Sequence, residues 1–254
     1  MNAINLAGSP FAWIAIGALV LIAGILRGFS GFGSSLLVVP ILGIMVGPAI
    51  AVTIATLLEC FATLLLVVPA VRHTNMRMLI PLAASASAAI PAGHAALTFL
   101  NPSLSNLLIS LAVVCMAFWM IAGGTVRFPR GLFGRIFAGS LSGLLTGFGS
   151  AGGPPLMLYI LSGPETAEIK RANVITVSGA ALIAAVGSMY YFGLLERQAL
   201  TGGLLLAPIF LAGGMIGARL FRAAPERLYQ RVALGTLAVI SCIVFVVNLI
   251  RIAG

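Results

Sequence analysis

The sequence predicts an all-α polytopic membrane protein of two inverted-repeat halves, residues 1–125 and 126–254, with eight to ten transmembrane segments, two of them short or broken. Three observations carry this. The chain is 61% apolar and 7% charged, where a soluble domain carries roughly a quarter charged residues. Its uncharged runs are long: 49 residues separate Arg77 from Arg127, 29 separate Arg135 from Glu165, 24 separate Arg171 from Glu196 and 19 separate Arg231 from Arg251. A helix needs about 20 apolar residues to cross a bilayer, whereas a β-barrel would show alternating ten-residue stretches. The third observation is a repeated Gly-Phe-Gly-Ser motif.

Cutting at charges, Gly-Pro pairs and Asn-Pro gives ten apolar segments. They run approximately over 10–26, 33–46, 48–71, 78–100, 103–123, 132–148, 152–161, 172–194, 199–220 and 232–250. The second and seventh would be only about 21 and 15 Å long at 1.5 Å per residue, too short to cross without help from flanking turns. If all ten cross with the N-terminus outside, twelve Lys and Arg face the cytoplasm and only Arg197 and Arg251 face out, as the positive-inside rule prefers. If the two short segments are re-entrant, the count becomes seven against seven, so the rule favours ten crossings, with eight as the other description.

The net charge of +9 does not point to nucleic acid, because the basic residues sit singly or in short clusters at the ends of apolar runs. Cys60, Cys115 and Cys242 lie in apolar runs without metal-ligand spacing and read as small buried hydrophobes. No metal or cofactor is expected. Trp13, Trp119, Tyr190, Tyr191 and Tyr229 fit interfacial belts. No Lys or Arg precedes Arg27, so the first apolar run lacks a signal-peptide n-region and is expected to stay.

Gly31-Phe32-Gly33-Ser34 recurs as Gly147-Phe148-Gly149-Ser150, and Gly47-Pro48 as Gly163-Pro164 at the same offset of 116. Slightly larger offsets align residues 51–56 with 171–176 and, further on, Gly93 with Gly217. Five crossings between the copies would invert one half relative to the other. Inverted repeats with Gly/Pro-interrupted segments are the recipe for alternating access around a site between half-helix ends. Chance similarity between Gly-rich membrane segments is the other explanation.

The two glycine turns are the leading site candidates: Ser30, Gly31, Phe32, Gly33, Ser34 and Ser35 in the first, Gly147, Phe148, Gly149, Ser150, Gly152, Gly153 and Pro154 in the second. Small residues leave N–H groups uncovered at helix starts, where amides and helix dipole both favour an anion. The competing explanation is close helix packing. Thr53, Thr56, Asn173 and Thr176 occupy matched places that could face a polar cavity, although a Thr hydroxyl commonly bonds the carbonyl four residues back. Glu59 is the only acidic residue well inside a segment. It is a candidate for carrying a coupling proton, or else a structural partner of His94 or of a backbone group. Lys170-Arg171 and the Arg219, Arg222, Arg227 and Arg231 cluster read first as topology signals, and His94 as a packing residue.

At these residues the chain resembles the sulfite exporter TauE/SafE family of permeases, also called the 4-toluene sulfonate uptake permease family. The resemblance rests on G-F-G-S-S-L-L-V-V-P-I-L and on the more specific G-F-G-S-A-G-G-P-P-L-M-L-Y-I-L, and covers nearly the whole chain. It implies transport of sulfite, sulfonate or sulfoacetate across the bacterial cytoplasmic membrane, coupled to protons. Where the family's first repeat usually has glycines, this chain has Ser34 and Ser35. Family members are described with seven or eight spans, which agrees with ten segments only if the short ones are parts of broken helices.

Four functional classes compete. A secondary transporter of a small anion comes first, its partners being that anion and the lipid bilayer, with a homodimer allowed. An anion channel would need the same donors without an alternating gate. An intramembrane enzyme would need a nucleophile with a base, or a metal cluster, and the chain has no Asp, two His and no H-E-x-x-H. A purely structural membrane subunit is the fourth.

Overall fold

The computed structural model describes residues 10–72, 74, 76–121 and 131–223. The expected segment 232–250, with Cys242, Tyr229, Arg227 and Arg231, and the side chain of Trp119 lie outside the described residues. The described residues form helices α1 (Pro10–Ser30), α2 (Ser34–Val46), α3 (Pro48–Val71), α4 (Met76–Phe99), α5 (Pro102–Ile121), α6 (Leu132–Gly149), α7 (Gly153–Leu161), α8 (Ala167–Tyr191) and α9 (Arg197–Ala223), with no strand among them. The short second and seventh segments are short helices of 13 and 9 residues.

The boundaries follow local chemistry. Gly47, at φ 90°, takes a backbone that side chains rarely adopt, and Pro48 opens α3 at a position where its missing N–H costs nothing. Asn101 caps α5, its Oδ1 accepting from Ser103 N at 2.9 Å. Thr166 caps α8, with Glu168 in the first turn beside the positive helix end.

Among the described residues four helices are long and apolar enough to cross a membrane: Trp13–Ser30, Met76–Phe99, Ala167–Tyr191 and Arg197–Ala223. The surface has the pattern of a lipid-dissolved protein. Ile14, Leu64, Ile80, Ile183 and Leu205 are each more than 60% exposed, while Arg27, Thr53, Glu59, His94, Lys170 and Asn173 are buried. In hydrocarbon the polar groups turn inward and find partners there. Trp13, Tyr190 and Tyr191 are exposed near helix ends, as interfacial anchors are. Cys115 is also exposed, contrary to its expected burial.

Glycines set the two tightest crossings. A Cβ at Gly28 or Gly217 would run into the facing backbone, at Gly214 O and Ile25 O respectively, so α1 and α9 touch main chain to main chain. Gly93, Gly143 and Gly147 do the same between α4 and α6. Such contact between small residues holds helices together where lipid removes the hydrophobic drive. The pairing is symmetric under exchange of the halves: α1 packs on α9 as α6 packs on α4, α2 on α3 as α7 on α8, and α3 on α9 as α8 on α4. Helices α3 and α8 meet in the middle, where a Cβ on Gly179, the aligned partner of Glu59, would lie 3.0 Å from Thr63 Cγ2.

Candidate anion site between the two glycine turns

The first turn links α1 to α2. Gly31 and Gly33 have φ of 83° and 92°, and between them Ser30 Oγ donates to Phe32 O at 2.8 Å. Gly33 is the N-cap of α2 and supplies no side-chain bond. The N–H groups of Ser34, Ser35 and Leu36 have no helical carbonyl before them, so this turn keeps the expected set of donors.

The second turn is different. Ser150 sits in the left-handed region at φ 53°; its N–H and that of Ala151 fold back onto Thr146 O at 2.8 Å and Leu145 O at 3.0 Å. These amides close the end of α6 in the way left-handed C-caps do. Pro154 and Pro155 follow and have no N–H. Only Gly152 and Gly153 are left to present amides, so the expected amide cradle is present in the first turn and largely spent in the second. Gly152 is fixed here because a Cβ would strike Ser142 O and Thr146 Oγ1.

The two turns meet. Ser35 Oγ donates to Ser150 O at 2.5 Å, and Phe32 covers Gly153, where a Cβ would come within 3.0 Å of its ring. Contact puts both turns at one depth. Beside them is a cavity of about 30 Å³, room for a water or two. Its walls include Phe32, Gly33, Ser35, Glu59, Ser150, Gly152 and Gly153 from the expected set, together with Arg27, Ser142, Thr146 and the α8 residues Val177, Ser178, Ala181 and Leu182.

Arg27 is the residue that sequence reasoning misplaced. It was counted as a cytoplasmic loop charge, yet it lies in the last turn of α1 and is 1% exposed. An arginine at the centre of a membrane helix costs about 2.5–3.5 kcal/mol on insertion scales. The negative end of α1 offsets part of that, as do bonds from Nη1 to Gly31 O and from Nη2 to Thr63 Oγ1 at 2.9 Å. Among the described residues its Nε has no partner, and neither has the Ser150 hydroxyl on the opposite turn. Glu59 lines the same cavity and accepts from Ser34 Oγ at 3.0 Å. It is not bonded to His94, whose Nδ1 pairs with Ser188 Oγ at 2.8 Å. The signal for Arg27 was its position next to the first glycine turn, with no second basic residue to make a loop cluster.

Other expected residues are placed elsewhere. Thr53 bonds Ala49 O and Leu194 O, and Thr176 bonds Ala172 O and Thr74. The helix-internal bond wins for both hydroxyls, and neither they nor Thr56 and Asn173 line the cavity. Ser30, Gly31, Gly147, Phe148, Gly149 and Pro154 are also outside its wall: Gly147 packs on α4, and a Cβ on Gly149 would lie 2.9 Å from Ile109. Arg171, expected as a topology signal, donates from Nη2 to Gly28 O at 2.5 Å and from Nε to Phe29 O at 3.1 Å, closing the end of α1. Its guanidinium also lies 4.3 Å from the centre of the Phe221 ring. Among the described residues no three His, Cys, Asp or Glu side chains cluster as a metal site would need.

A multi-pass helical membrane protein with a buried cation between two interrupted helices has the construction of a solute carrier. The chain belongs to the sulfite exporter TauE/SafE family, whose profile matches residues 16–244; that family is one of membrane transporters. No curated protein and no solved structure gives a match.

Proposed function

We propose that this chain is a secondary transporter that moves a small sulfur-containing anion, such as sulfite, a sulfonate or sulfoacetate, across the bacterial cytoplasmic membrane by alternating access. The observation that carries the reading is the small cavity between the two turns, with the buried guanidinium of Arg27 and a Ser150 hydroxyl that has no partner among the described residues on its walls. A fixed cation with an open donor suits a tetrahedral oxyanion. The cavity is smaller than a sulfonate, so loading requires the halves to separate at the Ser35–Ser150 contact. The exchange-symmetric helix pairing supports two inverted halves rocking about α3 and α8. Glu59 is the candidate for proton coupling.

The test is counterflow in proteoliposomes. Vesicles loaded with unlabelled sulfite or methanesulfonate should accumulate the labelled anion transiently against its gradient. A channel would equilibrate the label without overshoot, and vesicles inert to every sulfur anion would reject the reading.

A further inference from the structure

The cavity holds one permanent cation and one acid. Resting on the transport reading, we infer that Glu59 and the transported anion compete for Arg27, so that the anion is held only when Glu59 has taken up a proton. An arginine does not deprotonate in a protein, so Arg27 brings a fixed positive charge into a space from which water is largely excluded. Its Nη2 reaches Thr63, one helical turn beyond Glu59 on α3, so guanidinium and carboxylate face the same cavity from α1 and α3.

The rest of the wall adds no charge. Helices α2, α6, α7 and α8 contribute hydroxyls and apolar groups to it. The remaining titratable groups nearby are turned away: Arg171 onto Gly28 O and Phe29 O, His94 onto Ser188, Arg135 onto Arg77 O. Lys170 is buried on α8 outside the wall, and Arg197 and Arg222 lie at the ends of α9.

With the cavity empty, an ionised Glu59 is the one negative charge on the wall to offset Arg27. A monoanion entering beside an ionised Glu59 would leave two negative charges sharing one cation at low dielectric, an arrangement that drives one carboxylate to protonate. The balanced step is uptake of one proton on a Glu59 carboxylate oxygen together with one anion at Arg27, and release of both on the other side. The open Arg27 Nε and Ser150 hydroxyl are the donors left for that anion. Glu59 here is a competitor and not a ligand, and the Ser34 hydroxyl holds its carboxylate at the wall.

Isothermal titration of the purified full-length protein with methanesulfonate, in two buffers of different ionisation enthalpy, counts protons directly. Methanesulfonate stays singly charged throughout, so any pH dependence belongs to the protein. In the pH range where Glu59 is ionised, the wild type should take up about one proton per anion, with affinity falling about tenfold per pH unit. Glu59→Gln should bind the same anion with no proton uptake and no pH dependence. Binding by the wild type without proton uptake anywhere from about pH 6 to 9 overturns the competition, as does loss of binding in a monodisperse Glu59→Gln protein. The wild-type proton count decides the matter even if the variant misfolds. A wild type that binds neither methanesulfonate nor sulfite rejects instead the transport reading on which the inference rests.

Discussion

Ser35, at the start of α2, donates its hydroxyl to the carbonyl of Ser150, at the end of α6, over 2.5 Å. The two residues are 115 apart in the chain and belong to the two glycine turns, so this bond is where the halves touch at the proposed site. Ser35→Ala should remove about 1 kcal/mol of stability, the usual worth of one such bond, and should change transport more than it changes the amount of folded protein. Initial uptake rates per inserted protein check this; a variant with wild-type rates would make the contact incidental.

Glycine at 153 is required by Phe32, whose ring lies 3.0 Å from where a Cβ would be. Gly153→Val should therefore abolish transport with membrane insertion intact, and Phe32→Ala in the same chain should restore a measurable part of it by opening room. If blocked amides were the reason for the glycine, the second substitution would bring nothing back.

The glycines of the helix crossings should behave differently. Gly143→Leu and Gly217→Leu drive a side chain into the backbones of α4 and α1, and overpacking of this kind costs more than about 3 kcal/mol when main chain must move. Expected is loss of monodisperse protein on size-exclusion chromatography, before transport is considered. Normal yields from both would contradict backbone-to-backbone packing at these crossings.

Most of the helix plan was legible because its signals are local. Uncharged runs, Gly47-Pro48 and Asn101-Pro102 mark the ends of α2 to α5 to within a few residues. The start of α8 was placed at 172 and lies at Ala167, since Thr166 and Glu168 form a capping signal that a cut at the Lys170-Arg171 charges overrides. At the site, the repeat pointed to the two turns but not to what faces them. Arg27 was read by its charge alone, and a lone arginine beside an apolar run looks the same whether it ends a helix at the surface or inside. Thr53 and Thr176 were placed at the site by symmetry, while their hydroxyls bond the carbonyl four residues back and, respectively, Leu194 O and Thr74, away from the cavity. The α8 wall, Val177 to Leu182, carries no signal beyond apolarity.

The proposed inversion of the halves, with every helix from α4 to α8 completing a crossing, makes a topological prediction independent of the site. Five helices, α4 to α8, separate Arg72 from Arg197; an odd number of crossings puts them on opposite faces. In a chain with Cys60, Cys115 and Cys242 replaced by Ala, Arg72→Cys should react with an impermeant maleimide only from the cytoplasmic side, and Arg197→Cys only from outside. Labelling of both from one side would end the two-half arrangement.

The most direct measurement is anion binding to Arg27→Gln. Purified wild type should gain thermal stability saturably with methanesulfonate or sulfite, by about 2.7 kcal/mol at a hundred times the dissociation constant. Arg27→Gln should remain folded, freed of a buried charge, and show no such gain, while Arg27→Lys should keep a weak one because an ammonium lacks the planar fork. Equal stabilisation of wild type and Arg27→Gln would mean that the anion is held elsewhere.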